Sequence, residues 1–203
     1  MMIIREVQAK TILSVSKIHD YVVNPYVGCQ HACSYCYARF MKRFTGHQEP
    51  WGEFVDVKIN APELLSKEIL KKKVGNVWVS GVCDPYQPLE AKYQLTRRCL
   101  AILAEHNWPV IVQTRSPLVL RDIDILKNAK NFEVGFSVTT ADDSIRNVPL
   151  QALSIMLCSK VEIHDKFRKE KIEYSRAHAG WNITIEQTSH YFIFGEGSNL
   201  KTV

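Results

Sequence analysis

The stretch YVVNPYVGCQHACSYCY, residues 21–37, joins a short apolar run to a loop that contains three cysteines. Residues 21–23 have the aromatic and β-branched composition of a buried strand. Cys29, Cys33 and Cys36 follow with the spacing Cys-x3-Cys-x2-Cys. A 4Fe-4S cluster normally takes four cysteine ligands, so a loop with three leaves one iron free to bind something other than protein. The stretch predicts an open metal site directly after the first strand.

The composition of the chain is that of one globular domain. Its 203 residues are 46% hydrophobic and 23% charged, and no run approaches the roughly 18 apolar residues that a membrane span needs. The N-terminus lacks a basic segment followed by an apolar run, so we expect a cytoplasmic protein. Three of the six cysteines crowd into one loop, which favours metal ligation over disulfides. The net charge of +5 permits contact with nucleic acid without arguing for it.

From residue 60 onward, amphipathic helices alternate with short apolar strands. Asn60 fits an N-cap, and Gly75 is expected to close the helix that follows. Ser116 and Pro117 fit the start of a later helix. The predicted strands are residues 77–79, 110–112 and 132–138, and the helical spacing between them is carried by Leu95, Cys99, Ile102 and Leu103, then by Val119, Ile123 and Leu126. This order predicts an α/β fold with a parallel sheet, either open or closed as a barrel.

The polar residues after each strand are the first place to look for a ligand site, because such sites gather at the carboxyl ends of parallel strands. These segments are residues 81–84, 114–116 and 137–142. If residues 21–23 form the first strand, the cysteine loop lies at the same rim. A zinc site completed by His31 or His47 is the alternative for the three cysteines, although the chain has no second CxxC pair and no HxxxH pair.

The cysteine spacing and the aromatic residues around it resemble the signature of radical S-adenosylmethionine enzymes. Further segments, in the same order along the chain, resemble the subgroup related to spore photoproduct lyase: Asn24-Pro25-Tyr26, Cys36 to Met41, Pro50-Trp51-Gly52, Asp84 to Glu90 and Arg121 to Asp124. The resemblance covers about residues 10–147 and implies a partial (β/α) barrel.

The resemblance also implies cofactors and partners. Cys29, Cys33 and Cys36 are expected to hold three irons of a 4Fe-4S cluster, and the fourth iron to bind S-adenosylmethionine. Reduction by a flavodoxin or ferredoxin then yields a 5′-deoxyadenosyl radical that abstracts hydrogen. A DNA photolesion is one candidate substrate, and another nucleic-acid or protein modification fits the residues equally well.

Further residue roles follow from the resemblance alone. Tyr35 is expected near the adenine and Tyr37 in hydrogen transfer, and either could instead be a packing aromatic. Ser137 and Thr139 match ribose contacts, and could instead be strand-end hydroxyls bonded to backbone. Arg115 stands where lysine is more common and could hold the methionine carboxylate, or be a surface-loop arginine.

Cys83 follows the second strand, near the place where the lyase returns a hydrogen atom to a substrate radical. The residues after it, Asp84-Pro85-Tyr86, differ from those of the lyase, and a free cysteine is commonly a small buried apolar residue. Cys99 and Cys158 lie in apolar surroundings and are expected to be packing residues.

The family motifs stop near residue 147. Residues 1–147 are therefore predicted to form the core, with the cluster loop at 24–41. Residues 148–203 are predicted to be a divergent ending, or the product of a shifted reading frame or truncated gene, which would leave the barrel incomplete at its C-terminal end. A second hypothesis is a non-catalytic iron-sulfur or zinc protein, either an electron carrier or an inactive remnant of the enzyme.

Overall fold

The computed structural model describes residues 2–34 and 36–138, together with the strand segments 155–158, 193–194 and 201–202. In these ranges the strands are β1 (Ile3–Val7), β2 (Leu13–Val15), β3 (Tyr21–Val23), β4 (Tyr26–Val27), β5 (Phe54–Lys58), β6 (Val77–Val79), β7 (Val110–Thr114), β8 (Phe132–Val138), β9 (Ile155–Cys158), β10 (Ile193–Phe194) and β11 (Lys201–Thr202). The helices are α1 (Ala61–Ile69), α2 (Glu90–Tyr93), α3 (Leu95–Glu105) and α4 (Ile123–Asn128), with 3₁₀ helices at Tyr37–Phe44 and Pro117–Asp122.

The main sheet has the strand order β2-β3-β6-β7-β8-β9. Its four inner strands are parallel, and β2 and β9 pair antiparallel at the two edges. One row of valines crosses the parallel strands in register: Val23, Val79, Val112 and Val134. All four are buried, as expected for parallel strands covered by helices. The predicted α/β fold and its parallel sheet are confirmed.

The main core lies between this sheet and the helices α1, α3 and α4. The buried side of α3 carries Cys99, Leu100 and Leu103, which pack against Leu65 and Ile69 of α1. The expectation that Cys99 is a packing residue is confirmed, since its side chain is completely buried. Burying each of these leucines contributes about 1.5–3 kcal/mol.

A second, smaller sheet has the order β1-β5-β4, in which β1 and β5 are parallel and β4 is antiparallel to β5. Its own core contains Tyr26, Val55, Val57, Leu89 and Leu95. The sequence patterns did not predict this sheet. Because β4 ends directly before the cysteine loop, the small sheet fixes the place where the loop begins.

The helix starts differ in detail from the prediction. Helix α1 begins after Asn60, but the Asn60 side chain makes no capping bond. Its Oδ1 instead accepts from Ala9 N at 2.8 Å, and its Nδ2 donates to Ala9 O at 2.9 Å. The helix ends at Ile69, so the expectation that it extends to Gly75 is wrong. At Ser116 the predicted cap is confirmed, because its hydroxyl accepts from Leu118 N at 3.3 Å.

Most of the predicted C-terminal segment, residues 148–203, lies outside the described residues. Within it, β9 pairs with β8, with Ser137 opposite Met156, and β10 pairs antiparallel with β11. In the part of the chain that the structure describes, no helix has both the length and the apolar character needed to cross a bilayer.

Candidate cofactor site

The cysteine loop lies between β4 and the 3₁₀ helix that begins at Tyr37. Cys29 is buried, while Cys33 and Cys36 are partly exposed. Two tight turns shape the loop: Ala32 N donates to Cys29 O and Cys36 N donates to Cys33 O, each at 3.2 Å. Tyr35, expected near the adenine, lies outside the described residues.

Two glutamines hold the loop against the segment that follows β6. Gln30 N donates to Gln87 Oε1 at 3.0 Å, and Gln87 Nε2 donates to Gly28 O at 3.3 Å. In return, Gln30 Oε1 accepts from Leu89 N at 2.6 Å. Gln87 is completely buried, so its hydrogen bonds are shielded from water. They fix the position of the loop backbone.

Asp84 joins the ends of β6 and β7 to the cysteine loop. Its Oδ1 accepts from Thr114 Oγ1 at 2.6 Å and from Tyr86 N at 2.8 Å, and its Oδ2 accepts from Arg115 N at 2.9 Å. His31 Nε2 lies 3.5 Å from the same Oδ2 without forming a hydrogen bond. Burial lowers the pKa of His31, and the opposing effect of Asp84 is smaller. His31 is therefore neutral near pH 7.

Arg115 reaches the loop from the end of β7. Its Nη1 lies 2.7 Å from Cys33 Sγ, in position to donate to the sulfur. The expected role of Arg115 in holding the methionine carboxylate stays a prediction.

The segment 50–52 supports the other side of the loop. Gly52 has φ +100°, and a Cβ at this position would collide with Ala32 inside the loop. Trp51 packs edge-on against Phe54, with ring centroids 5.8 Å apart. Its indole nitrogen is buried and has no formed hydrogen bond. Only glycine at position 52 allows the backbone to lie this close to Ala32, which explains why the motif contains it.

Burial disfavours the thiolate form at two of the three cysteines of the loop. Burial raises the pKa of Cys29 to about 11. Burial also raises the pKa of Cys36, against the smaller, lowering effects of the Ala38 backbone N–H, the Trp51 indole and Arg39. Loading iron must therefore release protons from both groups.

Tyr37 and Cys83 lie near this rim on different elements. The Tyr37 hydroxyl donates to Gly81 O after β6, while 62% of the residue's surface is exposed. Cys83 Sγ lies 3.5 Å from Tyr26 O, and the residue packs against the small core. Burial raises the pKa of the Cys83 thiol well above its usual range. A neutral S–H is the form that can donate a hydrogen atom, and both catalytic roles stay predictions.

Of the two hydroxyl residues expected at the ribose, the structure describes one. Ser137 is partly buried, one residue before the end of β8. Thr139 lies outside the described residues.

Several buried polar atoms near the rim have no hydrogen-bond partner. The atoms are Asn24 Oδ1, after β3; His31 Nε2, in the cysteine loop; Trp51 Nε1, beside the loop; Ser80 Oγ, after β6; and Gln113 Nε2, near the end of β7. Tyr86 OH, which faces Asp122, is the remaining one among the described residues. Each unsatisfied group costs about 1–3 kcal/mol. Such a concentration indicates a place where a polar ligand supplies the missing partners.

Sequence reasoning missed a buried carboxylate, Glu90, inside one of the family motifs. It is completely buried, and it accepts hydrogen bonds from Tyr26 OH, from Thr96 N at 3.0 Å, from Arg97 N at 3.1 Å and from Arg121 Nη2 at 2.8 Å. These contacts tie the Tyr26 strand, just before the cysteine loop, to α3 and to the second 3₁₀ helix.

Asp122 is the second buried carboxylate of this network. Its Oδ1 accepts from Arg121 Nε at 2.7 Å and from Arg97 Nη1 at 2.9 Å. Arg97 also bonds Asp124 at the surface. The motifs at residues 84–90 and 121–124 thus contain members of one structural network, which the sequence patterns did not predict.

The three thiols of the loop match the donor set of a 4Fe-4S cluster that has one open iron. Among the described residues, no three His, Cys, Asp or Glu side chains are placed to hold one metal ion. A 4Fe-4S cluster does not require this, because each thiolate binds a different iron. His47, considered as a zinc ligand, has each ring nitrogen 2.9 Å from a carboxylate oxygen, of Glu49 and of Asp56. Both ring nitrogens of His47 are therefore already paired with carboxylates, and neither is available to bind zinc.

Comparison with known proteins identifies the family. The model of the radical SAM superfamily matches residues 23–178. The chain belongs to the radical SAM superfamily. Membership implies a 4Fe-4S cluster and S-adenosylmethionine, for which the three thiols and the unsatisfied polar atoms at the rim are suitable. The match extends beyond residue 147, and the division of the chain at that point stays a prediction.

Several relatives of this radical SAM chain are found by sequence. An uncharacterized protein of Methanocaldococcus jannaschii is 37% identical over 143 residues, which are 70% of this chain and 53% of the relative. An uncharacterized protein of Acidianus two-tailed virus is 31% identical over 137 residues, 63% of this chain and 45% of the relative. The chain spans about half the length of these relatives.

Solved structures confirm the radical SAM partial barrel. Spore photoproduct lyase complexed with dinucleoside spore photoproduct aligns with a TM-score of 0.54 over 68% of this chain and 40% of that chain. The same lyase with bound AdoMet, in a mutant form, aligns with a TM-score of 0.53. Sequence identity is 14% in both cases, so the similarity shows the fold alone.

Proposed function

We propose that this chain is the catalytic core of a radical SAM enzyme that abstracts a hydrogen atom from its substrate. The cluster is held by Cys29, Cys33 and Cys36. When bound there, the cluster would supply the one-electron reductive cleavage of S-adenosylmethionine to methionine and a 5′-deoxyadenosyl radical, which is the chemistry that hydrogen abstraction requires.

The observation that carries the proposal is the combination of three thiols and unsatisfied polar atoms at one rim. Asn24 Oδ1, Ser80 Oγ and Gln113 Nε2 provide acceptors and donors at the ends of three neighbouring strands. S-adenosylmethionine offers an amino group, a carboxylate and ribose hydroxyls that can satisfy such atoms. We assign these side chains to binding and orienting the cofactor.

Two polar residues, Asp84 and Arg115, stabilise the positions of the strand ends and the loop at the cofactor site. Asp84 fixes the ends of β6 and β7 through Thr114 and the Arg115 backbone. Arg115 places positive charge beside Cys33 at the rim. We propose that the Arg115 guanidinium also binds the methionine carboxylate.

For the substrate, we propose a nucleic-acid lesion of the kind that spore photoproduct lyase acts on. The fold likeness to that lyase supports this, and the net charge of +5 permits contact with nucleic acid. In this scheme Tyr37 and Cys83 relay the hydrogen atom back to the product radical, for which the weak S–H bond of a neutral cysteine is suited.

The test is anaerobic reconstitution with iron and sulfide, followed by dithionite and S-adenosylmethionine and an assay for 5′-deoxyadenosine. The wild type is expected to form it, and Cys36→Ala is expected to lose at least a hundredfold of this activity. Cys99→Ala is the control, because Cys99 is a thiol of the core on α3. A fully loaded wild-type cluster with no product would contradict the proposal and favour the electron carrier or inactive remnant.

The substrate is tested separately with the dinucleoside spore photoproduct. Repair to the parent dinucleoside is expected, with accumulation of abortive products in Cys83→Ala. Formation of 5′-deoxyadenosine without any repair would leave radical initiation intact and would overturn the lesion as substrate. A flavodoxin or ferredoxin is the proposed physiological reductant, replaced by dithionite in these assays.

A further inference from the structure

The 3₁₀ helix that follows the cysteine loop, Tyr37–Phe44, exposes aromatic rings to solvent. Phe40 is 43% exposed and Phe44 is 66% exposed. Their rings meet edge to face, with centroids 6.5 Å apart, so they form one continuous apolar patch. Contiguous exposed apolar patches mark binding sites, whereas scattered single residues do not.

The same helix contains no acidic side chain and three basic ones, Arg39, Lys42 and Arg43. In the part of the chain that the structure describes, none of the three forms an ion pair with a carboxylate. The Arg43 guanidinium lies over both rings, 5.4 Å from the Phe40 centroid and 4.7 Å from the Phe44 centroid. This positive charge beside the rings favours an anionic partner.

The helix is joined directly to the cysteine loop. It begins at Tyr37, immediately after Cys36. Arg39 Nη2 donates to Cys33 O at 3.0 Å, and the Tyr37 hydroxyl donates to Gly81 O after β6. A partner bound by this helix therefore lies beside the loop that we propose to hold the cluster.

We propose that Arg39, Phe40, Arg43 and Phe44 form a surface that binds an unpaired DNA strand next to the site of hydrogen abstraction. The inference rests on the proposed function and deepens it, because it names the form in which the nucleic acid is bound. We call these four residues the strand surface.

The two residue types of the strand surface recognise different parts of a nucleotide. Guanidinium groups bind phosphates, and aromatic rings stack on bases. The faces of bases inside a duplex are covered by their neighbours, so exposed rings favour a strand whose bases are unstacked. An acidic protein would also pair with the arginines, but two adjacent phenyl rings suit nucleic acid better, since every base has a flat π face.

The first experiment needs no variant and uses the anaerobically reconstituted wild type. Fluorescence anisotropy measures its affinity for a short labelled oligothymidylate, for a duplex of the same length and for an abasic strand of the same length. We expect the single strand to bind more tightly than the duplex. The abasic strand keeps the phosphates and lacks the bases, so it should bind about tenfold more weakly or worse. Equal affinities for the three probes would overturn the proposal.

The second experiment removes a ring from the strand surface. Phe44→Leu keeps an exposed apolar side chain, and the affinity for oligothymidylate should fall about fivefold or more because stacking is lost. Leu70→Ala, at another apolar side chain that is 74% exposed, is the control and should bind as the wild type does. Wild-type affinity in Phe44→Leu would overturn the role of the ring.

The charge of the strand surface is tested through the salt dependence of binding. For single strands, the logarithm of the affinity falls with the logarithm of the salt concentration by about 0.7 per phosphate contact. Arg43→Gln should therefore make the slope shallower by about 0.7. Lys73→Gln, at an exposed cation after α1, is the control and should keep the wild-type slope. An unchanged slope in Arg43→Gln would overturn the phosphate contact.

Two further probes distinguish the DNA strand from other partners. Polyglutamate that binds as tightly as oligothymidylate would assign the surface to an acidic protein and overturn the proposal. Tighter binding of oligouridylate than of oligothymidylate would assign it to RNA, with the same consequence.

The dinucleoside assay separates this inference from the function on which it rests, because a dinucleoside has no flanking strand. Repair of the dinucleoside without preference for the single strand would leave the proposed function intact and overturn the strand surface. Strand binding that depends on Phe44 and Arg43, in a protein that forms no 5′-deoxyadenosine, would support the strand surface and overturn the proposed function.

Discussion

Two sets of buried polar side chains in this protein differ in how well they are satisfied. Around Glu90, the carboxylate has four hydrogen-bond donors, among them Tyr26 and Arg121. At the rim beside the cysteine loop, Ser80 and Gln113 have polar atoms with no partner. A network in which every buried polar group has a partner stabilises the folded chain by itself. Where partners are missing, a bound ligand can supply the hydrogen bonds. The difference separates residues that hold the fold from residues that we propose to bind the cofactor.

The largest effect is expected from opening the closed network. Glu90→Gln removes the charge opposite Arg121 and leaves donors unpaired in the interior, which should cost about 3–5 kcal/mol of unfolding free energy. Urea denaturation of the metal-free protein measures it. Glu63→Gln is the matched control, because Glu63 and Arg98 form an exposed ion pair worth about 0–1 kcal/mol. Equal losses in the two variants would show that the Glu90 network is not a stabilising unit.

A smaller loss is expected where the small sheet meets the loop. Gly28 has φ +93°, and a Cβ there would collide with the backbone oxygen of Phe54. Gly28→Ala should therefore cost about 2–3 kcal/mol, from the left-handed backbone together with the collision. Gly46 also has a positive φ, of +71°, but its Cβ would meet nothing. Gly46→Ala should cost only about 1 kcal/mol, so the difference between the two denaturation curves isolates the collision.

The smallest change in stability is expected at the open rim. Ser80→Ala removes an unsatisfied hydroxyl, so the unfolding free energy should change by less than about 0.5 kcal/mol or rise. Affinity for S-adenosylmethionine should fall about fivefold to tenfold, since one hydrogen bond contributes about 1–1.5 kcal/mol. Calorimetric titration of the reconstituted protein measures this, with the exposed Ser66→Ala as control. A destabilised Ser80→Ala with unchanged affinity would place Ser80 with the structural residues.

The regular part of the fold could be predicted from local patterns. Apolar runs gave the strands at 77–79, 110–112 and 132–138, and their parallel pairing followed from the helices between them. Strand β5 was missed because its pairing with β1 joins residues about fifty positions apart. Asn60 was assigned to a cap because local rules do not reveal Ala9, its partner in space.

The residues of the candidate site likewise differ in whether the sequence alone could predict them. The cysteine loop is visible in the sequence because its spacing is local. Glu90 could not be distinguished from a surface glutamate, since its partners Tyr26 and Arg121 lie far from it along the chain. The unsatisfied atoms of Asn24 and Ser80 become apparent only when burial and partners are known, because asparagine and serine are usually solvated.

The pairing of Gln30 with Gln87 bears on the order in which the protein and its cluster are made. These bonds, and the packing of Gly52 on Ala32, fix the cysteine loop without using a single thiol. Classical zinc fingers behave differently, since they are unfolded without their metal. We therefore expect the metal-free chain to fold with its cysteine loop in place, so that iron can be inserted after folding as a late maturation step.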